Sequence, residues 1–234
     1  MSGESQSKSE SLWVSIRKSL PQSDKSQLLG NTARRVLRED PVYFSIYAAR
    51  YKFVSRMLNS SENVIEVGCG DGFGSLFLAK TAKSVVCIDI DHETLVDCRD
   101  RLGEISNLSF IYHDFVEAPL ESHKASADTL VLVDVLEHIE PNEEDSFLRN
   151  TASVLVDNGI AIFGTPNIEA LRFTSEVSRA AHVNLKSQAS LGKAIGRYYE
   201  RVLLFGQNDE VLHTGFHGMS HYLWAIGFGP RLAE

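Results

Sequence analysis

Four glycines alternate with other residues directly after a short apolar stretch of the chain. They are Gly68, Gly70, Gly72 and Gly74, in VIEVGCGDGFGS at 64–75. Because glycine is conformationally expensive, such a cluster indicates a sharp turn or a close approach of the backbone to a ligand. A strand, a glycine-rich turn and a helix in this order are typical of a site for a phosphate or a nucleotide.

The residues between these glycines narrow the class of ligand. The dinucleotide spacing G-x-G-x-x-G requires a third glycine at position 73, where the chain has Phe73. Glu66 lies at the end of the apolar stretch, and Asp71 lies within the turn. A negatively charged turn disfavours a pyrophosphate and favours a cationic ligand that carries no phosphate.

The strands and helices that position this turn are predicted from apolar stretches that alternate with helical stretches. Strands are predicted at 62–67, 84–90, 107–112, 128–134 and 159–164, and helices near 73–82, 92–102 and 143–156. This alternation indicates a parallel sheet covered on both faces. After Thr165 the sequence predicts a helix near 189–198 and two late strands, YERVLLFG and HYLWAIGF. Before the turn, the stretch that begins at Pro41 predicts an amphipathic helix.

Composition and charge limit the classes of function. The chain has 234 residues, 43% of them hydrophobic, and a formal net charge of −8. Residues 1–60 carry a net charge of +5, so the remainder carries −13, which argues against a broad nucleic-acid face. No apolar run is long enough to cross a bilayer, no secretory signal is visible, and the three cysteines fit no metal spacing. A cytoplasmic protein without a membrane partner is therefore expected, and its oligomeric state stays open.

The glycine-rich stretch resembles the first motif of the class I S-adenosylmethionine-dependent methyltransferases, E/D-x-G-x-G-x-G. The resemblance extends over at least residues 60–165 and implies S-adenosylmethionine as the cofactor. It also implies an α/β fold, a Rossmann-like doubly wound sheet of seven mainly parallel strands, with the last strand antiparallel and a helical N-terminal cap. We expect a polar, partly disordered extension over 1–40, and a methyltransferase domain with the cap helix over 41–234.

The resemblance also assigns residues to the cofactor. It places Asp89, 21 residues after Gly68, at the ribose hydroxyls; Asp91 is the alternative, although it resembles the N-cap of the following helix. Asp114 is expected at the adenine amino group, and Arg50 at the carboxylate of the methionine end. The complete predicted set of cofactor-binding residues is Arg50, Glu66, Gly68, Cys69, Gly70, Asp71, Gly72, Asp89, Ile90, Asp114, Phe115 and Asp134.

His138, in VDVLEHIEP after the fourth strand, is the predicted catalytic base, with a structural histidine as the alternative. His182 and His213 are further candidates for the base. The pattern Asp134-x-x-Glu137-His138 is similar to one found in two metal-dependent branches of the family. These branches methylate catechol-like quinone precursors and the terminal 2′-hydroxyl of small RNAs. A divalent metal is therefore a second, less favoured cofactor.

The predicted reaction is methyl transfer from S-adenosylmethionine to a small-molecule acceptor. The segments GTPN, HVNLKS and NDEVLHTGFHGMSHYL resemble those of methyltransferases associated with cell-surface sugar biosynthesis. This resemblance favours a hydroxyl oxygen of a sugar or a nucleotide sugar. The alternatives are an RNA or protein methyltransferase and a non-catalytic S-adenosylmethionine-binding module.

Overall fold

The computed structural model describes residues 28–60, 62–173 and 180–231. Two helices come first, α1 at Asn31–Glu39 and α2 at Pro41–Met57. Asp40 caps α2, because its carboxylate accepts a hydrogen bond from the backbone N–H of Tyr43 at 2.8 Å. The helix predicted from Pro41 is confirmed. Of the predicted extension, residues 1–27 lie outside the described ranges, and α1 packs on the domain through the buried Ala33.

The centre of the fold is an eight-stranded sheet with the order β3-β2-β1-β4-β5-β8-β6-β7. Its strands are β1 Asn63–Val67, β2 Ser84–Asp89, β3 Leu108–Tyr112, β4 Ala127–Val133, β5 Leu155–Pro166, β6 Tyr199–Asn208, β7 Val211–His213 and β8 Tyr222–Pro230. The helices that follow α2 are α3 Phe73–Ala79, α4 His92–Leu102, α5 Glu144–Ala152 and α6 Gln188–Ile195. Strands β1 to β5 pair in parallel, and β8 pairs antiparallel with β5 and β6.

The structure confirms a doubly wound, mainly parallel sheet with an antiparallel last strand, but the expected count of seven strands was wrong. The extra strand is β7, which pairs with the end of β6 across a turn at Asp209. Three residues are too few to show the alternating pattern that predicts a strand. The helix predicted near 143–156 is shorter in the structure than predicted and ends at Ala152. It cannot continue to 156 because the buried Leu155 already pairs with Ala127 in the sheet.

Both faces of the sheet are covered, and β4 shows why. Its side chains alternate between two hydrophobic clusters, with Leu130 and Leu132 in one and Val131 and Val133 in the other. Alternate residues of a strand point to opposite faces, so an apolar run of this kind is buried only between two layers of helices. Among the residues described, no helix is both long and apolar enough to span a membrane.

Candidate active site

The glycine turn that follows β1 has a left-handed backbone at Gly68 and Gly70, with φ of +74° and +51°. A Cβ atom at Gly68 would lie 2.4 Å from Val135, whereas a Cβ atom at Gly70 would have no neighbour within 4 Å. At Gly74 the reason for glycine is close packing against α2, since a Cβ atom there would lie 2.0 Å from the ring of Tyr51. The turn is therefore tightly packed on one side and open at Gly70.

The open side of the turn borders a cavity of about 620 Å³ at the carboxyl edge of the parallel strands. This is the edge at which open α/β sheets bind ligands. Apolar residues, among them Val116, Ile139 and Phe147, form part of its wall. The predicted site residues that line it are Gly68, Gly70, Asp89, Ile90, Asp114, Phe115, Asp134 and His138.

Replacing Gly70 by valine is expected to raise the Kd for S-adenosylmethionine by at least about tenfold. The side chain would fill the open space beside the turn. Calorimetric titration measures the Kd, and Gly229→Val is the matched control. Gly229 also has a left-handed backbone, with φ of +62°, but it lies at the end of β8 and not on the cavity wall. Wild-type affinity in Gly70→Val would contradict the predicted position of the cofactor.

Five predicted cofactor residues do not line this cavity: Arg50, Glu66, Cys69, Asp71 and Gly72. The carboxylate of Asp71 turns towards the N-terminal helix and accepts a hydrogen bond from the N–H of Ala33 at 2.8 Å. Cys69 is buried and packs as a small apolar side chain, like Cys87 on β2. Gly72 faces α4, since a Cβ atom there would lie 2.7 Å from Leu102. Cys69, Asp71 and Gly72 therefore shape the turn from behind the wall.

Glu66 also lies behind the turn, with 1% of its surface exposed. The hydroxyl of Ser75 on α3 donates a hydrogen bond to its Oε2, and Oε1 has no partner among the described residues. Burial raises the pKa of Glu66 to about 7. Its carboxyl group ties the end of β1 to α3 and does not reach the cavity.

The carboxylate of Asp89 is held in place by the backbone around it. Its Oδ2 accepts a hydrogen bond from the N–H of Gly70 at 2.8 Å, and its Oδ1 accepts one from the N–H of Asp91 at 3.0 Å. The side chain of Asp91 caps α4 by accepting from Glu93 and Thr94, as predicted. Asp114 accepts from the N–H of Val116 at 2.8 Å. Asp89 and Asp114, two of the acidic residues on the cavity wall, thus have carboxylates that are held by backbone N–H groups.

Removing the Asp89 carboxylate with Asp89→Ala is expected to weaken S-adenosylmethionine binding by about 1.5 to 3 kcal/mol, the range for hydrogen bonds to a charged group. This corresponds to a Kd roughly tenfold to 150-fold higher. The matched control is Asp91→Ala, which removes the cap of α4 from the same loop and should leave the Kd within about twofold. An unchanged Kd in Asp89→Ala would exclude the ribose role.

Arg50 and Asp134 form a buried ion pair between α2 and the end of β4. The guanidinium Nη1 lies 2.6 Å from Asp134 Oδ2, and the two side chains are 9% and 25% exposed. The guanidinium carbon also lies 4.0 Å from the centre of the Tyr222 ring. Arg50 Nε and Asp134 Oδ1 are buried, with no hydrogen-bond partner in the described ranges. Of the two residues, only Asp134 lines the cavity.

Glu137 and His182 come together with His138, which lines the cavity, and one ligating atom from each of the three lies within 4.8 Å of the others. Glu137 is fully buried and accepts from the hydroxyl of Thr165 at 3.0 Å. Burial, and then the charge of Asp134, raise the pKa of Glu137 to about 8. The ring centres of His138 and His182 are 5.1 Å apart.

This cluster fits a divalent cation in its donor set, one carboxylate and two imidazoles. Glu137 Oε1 and His182 Nδ1 are buried and have no hydrogen-bond partner in the part of the chain that is described. Burial, and then the neighbouring His138, lower the pKa of His182. The predicted metal pattern included Asp134, but in the structure Asp134 pairs with Arg50. His182 is the third residue of the cluster instead. His213, the other candidate base, lies on the edge strand β7.

A methyltransferase domain family model matches residues 64–159. A probable S-adenosylmethionine-dependent methyltransferase of Mycobacterium tuberculosis is 30% identical over 125 residues, which are 53% of this chain and 42% of that protein. A ubiquinone biosynthesis O-methyltransferase of Actinobacillus pleuropneumoniae is 28% identical, over 50% and 52% of the two chains. A ribosomal RNA small subunit methyltransferase A of Mesomycoplasma hyopneumoniae is 29% identical, over 53% and 51%. The chain thus spans about half the length of these relatives.

Solved structures of other methyltransferases share the fold. The crystal structure of a TehB-like methyltransferase from Corynebacterium glutamicum superposes with a TM-score of 0.60 at 15% identity, over 78% of this chain and 88% of the other. At this identity the likeness concerns the fold alone. Residues 64–159 therefore form a methyltransferase domain, and the comparisons support S-adenosylmethionine as its cofactor.

Proposed function

We propose that the protein transfers a methyl group from S-adenosylmethionine to a hydroxyl oxygen of a small molecule. A sugar or nucleotide-sugar hydroxyl is the acceptor class favoured by the sequence resemblance. One observation carries the proposal: a single cavity joins the glycine turn and the fixed carboxylates of Asp89 and Asp114 to the imidazole of His138. A site of this kind can bind a nucleoside at one end and accept a proton at the other.

The wall of the cavity fits the parts of the cofactor. Asp89 would accept hydrogen bonds from the ribose hydroxyls, and Asp114 would accept one from the adenine amino group. Ile90 and Phe115 would give the ring apolar contacts. Asp134, on the cavity wall, would accept a hydrogen bond from the ammonium of the methionine end, and its partner Arg50 would hold the Asp134 carboxylate in place without lining the cavity. When bound, the cofactor supplies an electrophilic methyl group.

His138 would take the proton of the acceptor hydroxyl. Positioning of the nucleophile supplies most of the acceleration, and a base adds to it because an alcohol is a weak nucleophile until it loses its proton. The ring of His138 lies on the cavity wall with Asp134 and Val135, at the end of β4. A nucleophile in this part of the cavity would approach the methyl group from the side of the imidazole.

A divalent cation held by Glu137, His138 and His182 is the second candidate for activating the acceptor. It would bind adjacent oxygens of the acceptor and lower the pKa of the hydroxyl. The proximity of the three ligating atoms favours it. The two candidates differ in one measurable respect, since only the metal-dependent reaction is lost when a chelator is added.

The proposal is tested by transfer of isotopically labelled methyl groups from S-adenosylmethionine into fractionated native-cell extract. We expect label in the small-molecule fraction, from which the acceptor is identified by mass spectrometry. A parallel reaction with EDTA should retain the label if His138 acts alone and lose it if a metal is required. Label in RNA or protein instead would overturn the acceptor class. No transfer at all, with cofactor binding confirmed, would favour the non-catalytic module.

The charge distribution favours a small-molecule acceptor over RNA. The chain beyond residue 60 carries a net charge of −13. Because binding to nucleic acid depends on neutralising phosphates with lysine and arginine, an acidic body disfavours an RNA acceptor. A relative that is named for ribosomal RNA keeps this class as the alternative. Absence of RNA binding at low salt would exclude it.

A further inference from the structure

Residues 181–186, in the connection between β5 and α6, lie against the turn that carries His138. The carbonyl of Ala181 lies 3.0 Å from His138 Nδ1. The N–H of Asn184 donates to the carbonyl of Glu137 at 3.0 Å, and the N–H of Ile168 donates to the carbonyl of Lys186 at 2.9 Å. This segment is thus attached at both ends and contacts the proposed base directly.

The contact with Ala181 fixes the position of a proton. A backbone carbonyl can only accept a hydrogen bond, so His138 Nδ1 must be the donor and must carry the hydrogen. In a neutral imidazole the other nitrogen, Nε2, is then unprotonated. The tautomer that leaves Nε2 free is the one in which His138 can accept a proton there.

A buried polar network attaches this segment to α5. The carboxylate of Glu144 pairs with Lys186 and accepts hydrogen bonds from Asn184 Nδ2 at 2.8 Å and Arg197 Nη2 at 3.1 Å. Lys186 also donates to Asn184 Oδ1 at 2.8 Å. Glu144, Asn184 and Lys186 are 8%, 7% and 9% exposed. Three polar side chains buried in mutual contact have few alternative arrangements, so the network holds the segment in one place.

Stability alone does not explain this network. Burying a lysine and a glutamate costs solvation free energy, and apolar side chains of similar volume often serve stability as well or better. Unlike apolar side chains, the network has directional hydrogen bonds, and these set the register of residues 181–186. That register places the carbonyl of Ala181 opposite His138.

We propose that Glu144, Asn184 and Lys186 are positioning residues that hold the Ala181 carbonyl against His138 and thereby fix its Nδ1–H tautomer. The inference rests on the proposed function, in which His138 accepts the proton of the acceptor hydroxyl. None of the three residues lines the cavity wall, so each would act through the segment and not on the substrate.

The test is nitrogen NMR of the full chain with ¹⁵N-labelled histidine, in EDTA so that no metal occupies Nε2. The His138 signals are assigned by their loss in His138→Gln. We expect the wild type to show a protonated Nδ1 and a bare Nε2. Lys186→Met should lower the Nδ1–H share of His138 by at least half, whereas Lys193→Met, an exposed lysine on α6, should leave it unchanged.

A double variant separates positioning from folding. Glu144→Gln with Lys186→Met removes both buried charges at once and so avoids the cost of an unpaired one. We expect it to keep a cooperative thermal transition and still lose the Nδ1–H tautomer. The inference is overturned if the wild type shows the Nε2–H form, or if the folded double variant keeps the wild-type signals. Because NMR needs no acceptor, a retained tautomer without methyl transfer would support the positioning and contradict the proposed function alone.

Discussion

Replacing His138 by alanine is expected to lower the turnover of the acceptor by about 10²- to 10⁴-fold, the usual contribution of a general base. The Kd for S-adenosylmethionine should stay within about twofold, because His138 is not among the proposed ribose and adenine contacts. The measurement is a single-turnover reaction with labelled cofactor and the acceptor found in the small-molecule fraction, together with a calorimetric Kd. This combination separates chemistry from binding.

The matched control for this variant is His213→Ala, since His213 lies on the edge strand β7 and not on the cavity wall. It should retain full turnover. Equal turnover in His138→Ala and the wild type would exclude His138 as the base and, if EDTA also had no effect, leave positioning as the main source of catalysis. A large rise in the Kd of His138→Ala would instead show that the imidazole holds the cofactor.

Replacing Arg50 by methionine is expected to lower the free energy of unfolding by about 3 kcal/mol. Removing one member of a buried ion pair leaves the other charge buried and unpaired, which typically costs 3–5 kcal/mol. The lower end applies here because Asp134 is 25% exposed and keeps some contact with solvent. Methionine preserves the length and the apolar part of the side chain. Urea unfolding without the cofactor measures the change.

Two further variants show whether this loss comes from the pair. Arg50→Met with Asp134→Asn removes both charges and should recover most of the lost stability. Arg38→Met removes one member of the exposed pair of Arg38 and Glu39, whose side chains are 77% and 60% exposed, and should cost less than about 1 kcal/mol. Similar losses in Arg50→Met and in the double variant would attribute the effect to packing against Tyr222 and not to charge.

The features that the sequence predicted correctly are those that depend on local pattern. The strand at 84–90 was recognisable because consecutive apolar residues are needed where a sheet is buried on both faces. The role of Asp91 as a cap was recognisable because a cap acts on the first turn of its own helix. The glycine turn was recognisable for the same reason, since glycines that alternate within a few positions mark its left-handed backbone.

The features that the sequence did not predict depend on contacts between distant parts of the chain. The pairing of Arg50 with Asp134, 84 residues away, was not predicted. His182 was named only as a further base, and its approach to His138 depends on how residues 181–186 dock on α5. The residues that flank Arg50 and His182 in the sequence do not indicate which distant side chain each one contacts. The apolar pattern determines that β4 is buried but leaves open which side chain from another element meets its end.

The hydrogen bond between Asp71 and Ala33 joins the cofactor turn to α1, and Arg101 strengthens the connection. Its guanidinium donates to the carbonyl of Asp71 at 2.7 Å and to that of Leu28 at 2.8 Å. A shortened protein that begins at Pro41 would lose the hydrogen bond between Asp71 and Ala33 and the one between Arg101 and Leu28. If docking of the N-terminal helix raises the cofactor affinity by some factor, thermodynamic linkage requires that the bound cofactor favour the docked helix by the same factor. Docking of the N-terminal helix and binding of the cofactor are then coupled equilibria.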